Sequence, residues 1–288
     1  KQIYQNQESE GMLMDVSNTL TTRKQGITEF LNLPAVQTNI ERAVGRMDAQ
    51  AFATAVISAV NANEALKACT NQSILIAALL GQSLKLSPSP TLGHYYMVPY
   101  KDKNKGQVAQ FQMGYTGYIQ MAIRSGQYRR LNVTALKEGE LIEWDPFNEH
   151  LRYTIRADRD SLPTIGYYAF FETTTGYTKA LYWSKDKMLD HADRYSQAFS
   201  KDAKTLTIRG VDKVKVSYAD YCDGKYGTKA EWLYSSFWYK DFDAMAYKTM
   251  LRQLISKWGI MSIDLVNAME ADKAEERIIE PETIVEAP

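Results

Sequence analysis

Cysteine is nearly absent. Cys69 and Cys222 are the only two in 288 residues and lie far apart. That excludes a disulfide framework and a paired-cysteine zinc site, and it fits a reducing, cytoplasmic setting. Histidine is equally scarce. His94, His150 and His191 are scattered, and a structural role is expected for each. The longest apolar run, residues 74–80, falls far short of the roughly 18 residues of a membrane span. The first ten residues, KQIYQNQESE, lack an apolar stretch, so no secretory leader is expected there. No phosphate-binding G-x-x-x-x-G-K-[ST] loop, H-E-x-x-H helix or G-x-S-x-G elbow occurs. Acid pairs such as Asp241/Asp243 and Glu138/Glu140 exist, but carboxylates two apart on a helix diverge and make a poor Mg²⁺ cage. No cofactor, no metal and no covalent catalysis are expected.

A net charge of one sign is also missing: 34 Lys and Arg balance 34 Asp and Glu. The balance hides a strong polarity along the chain. Residues 95–137 hold seven basic side chains against one acid, residues 201–260 eleven against seven, and residues 264–288 eight acids against Lys273 and Arg277. Basic segments attract polyanions, and an acidic tail solvates itself or competes for the same surface. What the chain has in excess is tyrosine, nineteen in all.

The pattern predicts an α+β fold. N-terminal helices over 26–80 follow from apolar residues at helical spacing, with Asn71-Gln-Ser capping the helix of residues 74–80. A central, mainly antiparallel sheet follows. It opens with a hairpin, 94–100 and 108–115, whose tip carries Lys101, Lys103 and Lys105. A short helix over 116–125 ends at Gly126. Strands are expected at 128–136, 141–144, 151–155, 165–172 and 178–183, then a helix capped by Ser184 and running to 198. Residues 200–232 read as a long or mobile loop. A long basic helix over 237–258 closes at Gly259, and a last helix from 262 fades into the tail. The expected organisation is a polar, loosely ordered segment 1–25, a folded core 26–270, and an acidic flexible tail 271–288.

Rings interleaved with cations between residues 92 and 130 suit single-stranded nucleic acid, since aromatic faces stack on any base while Lys and Arg follow phosphates. Tyr115 and the hairpin lysines belong to that stretch, as do Arg124, Arg129 and Arg130. A hairpin core with lysines protecting its edge is the competing reading. Arg124 also has a competing role against the helix dipole. In the last basic helix Lys248 and Arg252 stand four residues apart, so they share a face. Positions 244, 245, 251, 255 and 256 around them are Ala, Met, Leu, Ile and Ser. Phosphate is the expected counter-ion, with a carboxylate from elsewhere in the fold as the alternative. Lys201, Lys204, Arg209, Lys213 and Lys215 are further candidates in a loop that DNA orders.

Four segments carry a family resemblance. They are Leu66-Lys-Ala-Cys-Thr-Asn-Gln-Ser-Ile-Leu-Ile-Ala-Ala-Leu; Tyr-Tyr-Met-Val-Pro-Tyr leading into Gln-Met-Gly-Tyr-Thr-Gly-Tyr-Ile-Gln-Met-Ala-Ile-Arg-Ser-Gly; Gly166-Tyr-Tyr-Ala-Phe-Phe-Glu; and Trp238-Tyr-Lys-Asp-Phe-Asp-Ala-Met-Ala-Tyr-Lys-Thr-Met-Leu-Arg. Across roughly residues 27–270 the chain resembles the RecT branch of the RecT/Red-beta family of phage single-strand annealing proteins. It departs in reading Trp-Gly-Ile-Met-Ser after the last basic helix, where many relatives place a proline before the serine. The resemblance implies an ATP-independent protein, phage- or prophage-encoded and acting in a bacterial cytoplasm. It implies binding of single-stranded DNA and annealed duplex, assembly into rings or helical filaments, a partner exonuclease, and contact of an acidic C-terminal part with host single-strand-binding protein. A metal-dependent nuclease and a non-catalytic RNA-binding or adaptor module are the other classes weighed.

Overall fold

A computed structural model describes residues 25–278 except 103, 197 and 209, with the side chains of 208, 228, 229 and 271–278 also set aside. Segment 1–24, Lys103, Arg209 and residues 279–288 therefore lie outside the described residues. The chain opens with helices α1 (Ile27–Leu31), α2 (Pro34–Val44), α3 (Ala49–Ala62) and α4 (Asn71–Ser83), a 3-10 turn Glu64–Ala68 preceding the last. Pro34 starts α2 where a missing N–H costs nothing. The cap of α4 is Thr70, one residue before the expected Asn71; its hydroxyl accepts the Ser73 N–H at 3.4 Å. Leu31, Ile40, Phe52, Val56 and Ile74 bury one continuous interior.

The expected hairpin forms as β1 (Tyr95–Asp102) and β2 (Gly106–Met113). Asp102 organises its tip by accepting the N–H groups of Asn104 and Lys105, each at 2.8 Å. Those bonds hold its carboxyl below the usual range. Helix α5 (Tyr115–Arg124) follows at once. The turn needs glycine twice: a Cβ on Gly114 would meet the Gly93 carbonyl oxygen at 2.0 Å, and one on Gly117 the His94 carbonyl oxygen at 2.1 Å.

The strands do not share one sheet. β3 (Tyr128–Lys137), β6 (Thr164–Thr173) and β7 (Thr178–Ser184) form an antiparallel sheet in the order β3-β6-β7. β4 (Leu141–Asp145) and β5 (His150–Tyr153) make a separate two-stranded finger. Alternation sorts β6: Tyr167, Ala169 and Phe171 are fully buried, while Tyr168, Phe170 and Glu172 face the other way. The finger lies on that second face, with Trp144 packed against Tyr168 and Tyr182. Its Glu149 pairs with Lys179 and accepts the Ala180 N–H at 3.0 Å, which covers part of the edge of β7.

Helix α6 (Lys185–Tyr195) is capped by Ser184, as expected, but stops at Tyr195 rather than 198. Residues 200–232 are not a long loop. They form the ribbon β8 (Lys204–Ile208) and β9 (Val211–Lys215), helix α7 (Tyr218–Cys222), and then a 3-10 turn Thr228–Tyr234. Tyrosine holds this segment down: the Tyr221 ring centre lies 4.7 Å from Tyr226, 5.0 Å from Tyr234 and 4.8 Å from Tyr239. The long helix 237–258 is broken as well. Asp241 leaves helical geometry (φ −149°, ψ 77°) between α8 (Phe237–Lys240) and α9 (Phe242–Trp258). Its carboxylate caps α9 through the Ala244 N–H at 3.0 Å.

Helix α9 separates two apolar interiors and serves both. Leu251 and Ile255 pack with the N-terminal helices and the β1–β2 hairpin. Ala246, Met250 and Leu254 pack with Tyr167, Ala169 and Phe171 of the sheet. Helix α10 (Ile263–Ile278) then lies against α5 and β2, and its backbone runs eight residues past position 270, the expected end of the core. No helix among the described residues is long and apolar enough to cross a membrane.

Candidate nucleic-acid interface

Gly126, at φ +68°, turns the chain sharply from α5 into β3, so the first residues of β3 emerge beside that helix. The β3–β6 register slips there: Tyr128 faces Thr173, and Arg130 faces Glu172. Arg129 is the extra residue of a β-bulge. A regular strand would send neighbouring arginines to opposite faces; the bulge re-aims Arg129, and both arginines are exposed. They line one groove of about 700 Å³. The Arg130 guanidinium sits 5.1 Å from the centre of the Phe170 ring. Arg129 reaches Glu172 at 3.3 Å, but its side chain is 71% exposed. Such a pair is worth little and yields readily to a phosphate.

Aromatic rings form the floor. Phe170 and Tyr168 come from the outer face of β6, and the half-exposed Tyr153 from the finger. Burial raises the Tyr168 hydroxyl above its ordinary value, so it stays a neutral donor. Ile119 and Ile123 of α5 and Leu131 of β3 add aliphatic lining to the same groove.

Among the described residues expected at a site, only Arg129 and Arg130 meet in this groove. Lys101 and Lys105 are exposed on the separate β1–β2 hairpin. Tyr115 is half-buried at the start of α5, edge-on to Tyr247. Arg124 staples the end of α4, donating to the Leu84 and Lys85 carbonyls at 2.7 Å each. Lys201 is held by Asp190 at 2.6 Å. Lys204 and Lys213 are exposed on the β8–β9 ribbon.

Lys215 is not a loop cation. It is 4% exposed, donates to the Ala198 carbonyl at 2.8 Å, and lies 4.8 Å from the centre of the Tyr239 ring. Burial, and then the charge of Lys204, push its amine down to about 8. Lys248 and Arg252 do not project as an exposed pair either: Lys248 is 8% exposed and Arg252 half-buried, because α9 is covered on two sides. The rings of the groove were absent from the sequence-based site. Period-two alternation along Gly166-Tyr-Tyr-Ala-Phe-Phe-Glu is the signal that finds Tyr168 and Phe170.

A second polar group ties α9 to the sheet. Tyr167 donates to Asp243 at 2.6 Å and receives Lys185 at 3.0 Å, while Thr164 donates to the other Asp243 oxygen at 3.4 Å and receives Lys137 at 2.9 Å. Burial raises the Tyr167 hydroxyl strongly and lowers the Lys185 amine. Asp241 and Asp243 are thus committed to a cap and to this buckle. Among the described residues no three His, Cys, Asp or Glu side chains converge as metal ligands.

Comparison with known proteins bears on what such a groove serves. A model of the RecT family matches residues 50–285. The chain is 31% identical over 276 residues to the uncharacterized protein YqaK of Bacillus subtilis (strain 168), across 95% of this chain and 82% of that protein. It is 24% identical over 264 residues to protein RecT of Escherichia coli (strain K12), across 90% and 84%. With matches over most of its length, and with the motifs quoted above in place, the chain belongs to the RecT family of recombination and annealing proteins.

Proposed function

We propose that this protein anneals complementary single strands of DNA without ATP, gripping a strand in the groove of Arg129, Arg130, Tyr153, Tyr168 and Phe170. The observation that carries the reading is the bulge at Arg129, which sets two exposed guanidinium groups beside a row of rings. Rings stack on bases of any sequence at about 1–3 kcal/mol per base, and cations release the counter-ions of the phosphates. Two bare strands repel each other. A bound strand whose charge is partly cancelled can be tested by a second strand, and matched pairing adds about 1.4 kcal/mol of stacking per step. No bond is made or broken, so the protein is a DNA-pairing protein rather than an enzyme.

Residues 26–270 act as the annealing core in this reading, and 271–288 as an acidic tail. Copies assemble into a ring or filament, and side-by-side grooves multiply weak contacts through effective concentration. The exposed lysines Lys101, Lys105, Lys204 and Lys213 extend the phosphate track from neighbouring surfaces. A partner exonuclease supplies the single strand, host single-strand-binding protein is a further partner, and the setting is a bacterial cytoplasm.

The test is a quenched-fluorophore assay with two complementary oligonucleotides and no nucleotide. The unaltered chain is expected to join them well above the rate in buffer, and the Arg129→Ala, Arg130→Ala double variant to lose most of that gain. No acceleration by the unaltered chain overturns the reading.

A further inference from the structure

The register of β3 against β6 sorts the groove floor into two rows. Arg130, Asn132 and Thr134 lie directly opposite Glu172, Phe170 and Tyr168. Opposed residues of an antiparallel pair share a face, so a polar row on β3 runs beside the two rings of β6. Two members of that polar row are already engaged. The Arg130 guanidinium sits over the Phe170 ring, and the Thr134 hydroxyl donates to the Ala135 carbonyl at 3.3 Å. Asn132 is different. It is exposed, lines the groove and stands across from Phe170, and its amide has no partner among the described residues.

A carboxamide offers two N–H donors and a carbonyl acceptor and carries no charge. It adds nothing to phosphate neutralisation, which the arginines provide. What it matches is the edge of a base. The side chains of opposed residues start about 4.5–5.5 Å apart, so the amide of Asn132 flanks any base that stacks at Phe170.

Three edges of such a base are available in principle. The Watson–Crick edge must stay open, because the second strand is tested there. The major-groove edge carries a different donor and acceptor pattern for each base, so a residue reading it would impose a sequence. The minor-groove edge presents an acceptor, N3 of a purine or O2 of a pyrimidine, whatever the base.

We propose that the Asn132 amide donates to the minor-groove edge of the base stacked at Phe170. The strand is then gripped by its bases without regard to sequence, and its pairing edge is left free. The proposal rests on the groove being the DNA site and names the base edge that the groove takes.

The experiment measures anisotropy of fluorescein-labelled single-stranded oligonucleotides at low salt against the full chain and its variants. Three adenine strands are compared: unmodified, built from 3-deazaadenine, which lacks the minor-groove acceptor, and built from 7-deazaadenine, which lacks the major-groove one. The unaltered chain is expected to bind the 3-deaza strand about three- to tenfold more weakly than the unmodified strand, the worth of one hydrogen bond, and the 7-deaza strand equally well. Asn132→Ala is expected to lose the same factor on unmodified adenine and on thymine strands, and to hold the 3-deaza and unmodified strands alike. Equal binding of the 3-deaza and unmodified strands by the unaltered chain overturns the proposal. So does a 3-deaza penalty that persists in Asn132→Ala, because another group then makes the contact. A loss on Asn132→Ala that is confined to one kind of base overturns it as well. If the Arg129→Ala, Arg130→Ala variant binds unmodified DNA as tightly as the unaltered chain, the groove reading itself fails. If that variant binds weakly while the unaltered chain holds the 3-deaza strand as well as the unmodified one, the groove reading stands and the Asn132 proposal alone falls.

Discussion

Arg130 rests over Phe170 with its guanidinium 5.1 Å from the ring centre, on the side of the three-stranded sheet that faces away from α9. A guanidinium held over a ring is oriented before any ligand arrives, while its remaining N–H donors point outward. In the proposed function the pair is a platform for a base and its phosphate. Phe170→Leu keeps an apolar side chain but removes the π-face. It is expected to weaken single-strand binding by roughly tenfold, the low end of one lost stacking contact. Phe170→Trp should restore it. Equal affinities for the Leu variant and the parent in an anisotropy titration would remove the ring from the site.

Phosphate grip has a second signature in salt. Each phosphate neutralised on a single strand contributes about 0.7 to the slope of log K against log salt. Replacing Arg129 and Arg130 by Ala is expected to flatten that slope by about 1.4. An unchanged slope with weaker binding would mean that the arginines act on shape rather than on phosphates.

Lys215 makes a pH prediction. Its amine titrates at about 8 in the folded chain, below the ordinary lysine value. Between pH 8 and about 10.5 the unfolded chain then holds more proton than the folded one, so stability rises with pH, by at most about 1.4 kcal/mol per unit. Buried tyrosines such as Tyr167 and Tyr239 act in the opposite sense from about pH 10 upward, because their folded hydroxyls hold the proton longer. Urea midpoints of the parent should climb from pH 8 to 9.5, and those of Lys215→Met should not. Parallel curves would place the amine in water.

Close backbone approach makes another. Gly117→Ala forces a Cβ to within 2.1 Å of the His94 carbonyl oxygen and is expected to cost about 1–3 kcal/mol of stability. Gly227, which has open space around it, should accept Ala with little change. A Gly117→Ala chain as stable as the parent would show that the α5 start can shift freely.

The parts of this fold that local chemistry dictates could be read in advance. The helices at 27–83, the hairpin with its basic tip and the Ser184 cap follow from periodicity and capping residues within a few positions. Residues 200–232 could not be read this way. The ribbon strands carry lysines and aspartates at most positions, and what orders the segment is contact of Tyr221 and Tyr234 with the distant Tyr239. The break at Asp241 was readable in principle, since an aspartate preceding Phe-Asp-Ala is a good cap, but no Pro or Gly marks it. Arg129 and Arg130 were legible as basic residues. Their shared groove was not, because a one-residue slip between β3 and β6 depends on pairing across more than forty residues. For Lys248 and Lys215 charge alone misled: each is folded inside by neighbours that the sequence does not place beside it.

Helix α9 seals both interiors with the same seventeen residues. One side therefore cannot swivel on the other without tearing a face of that helix away from its packing. The two packed sides are expected to move together, and in the proposed assembly any bending that strand pairing demands falls on the joints between copies or on the nucleic acid itself.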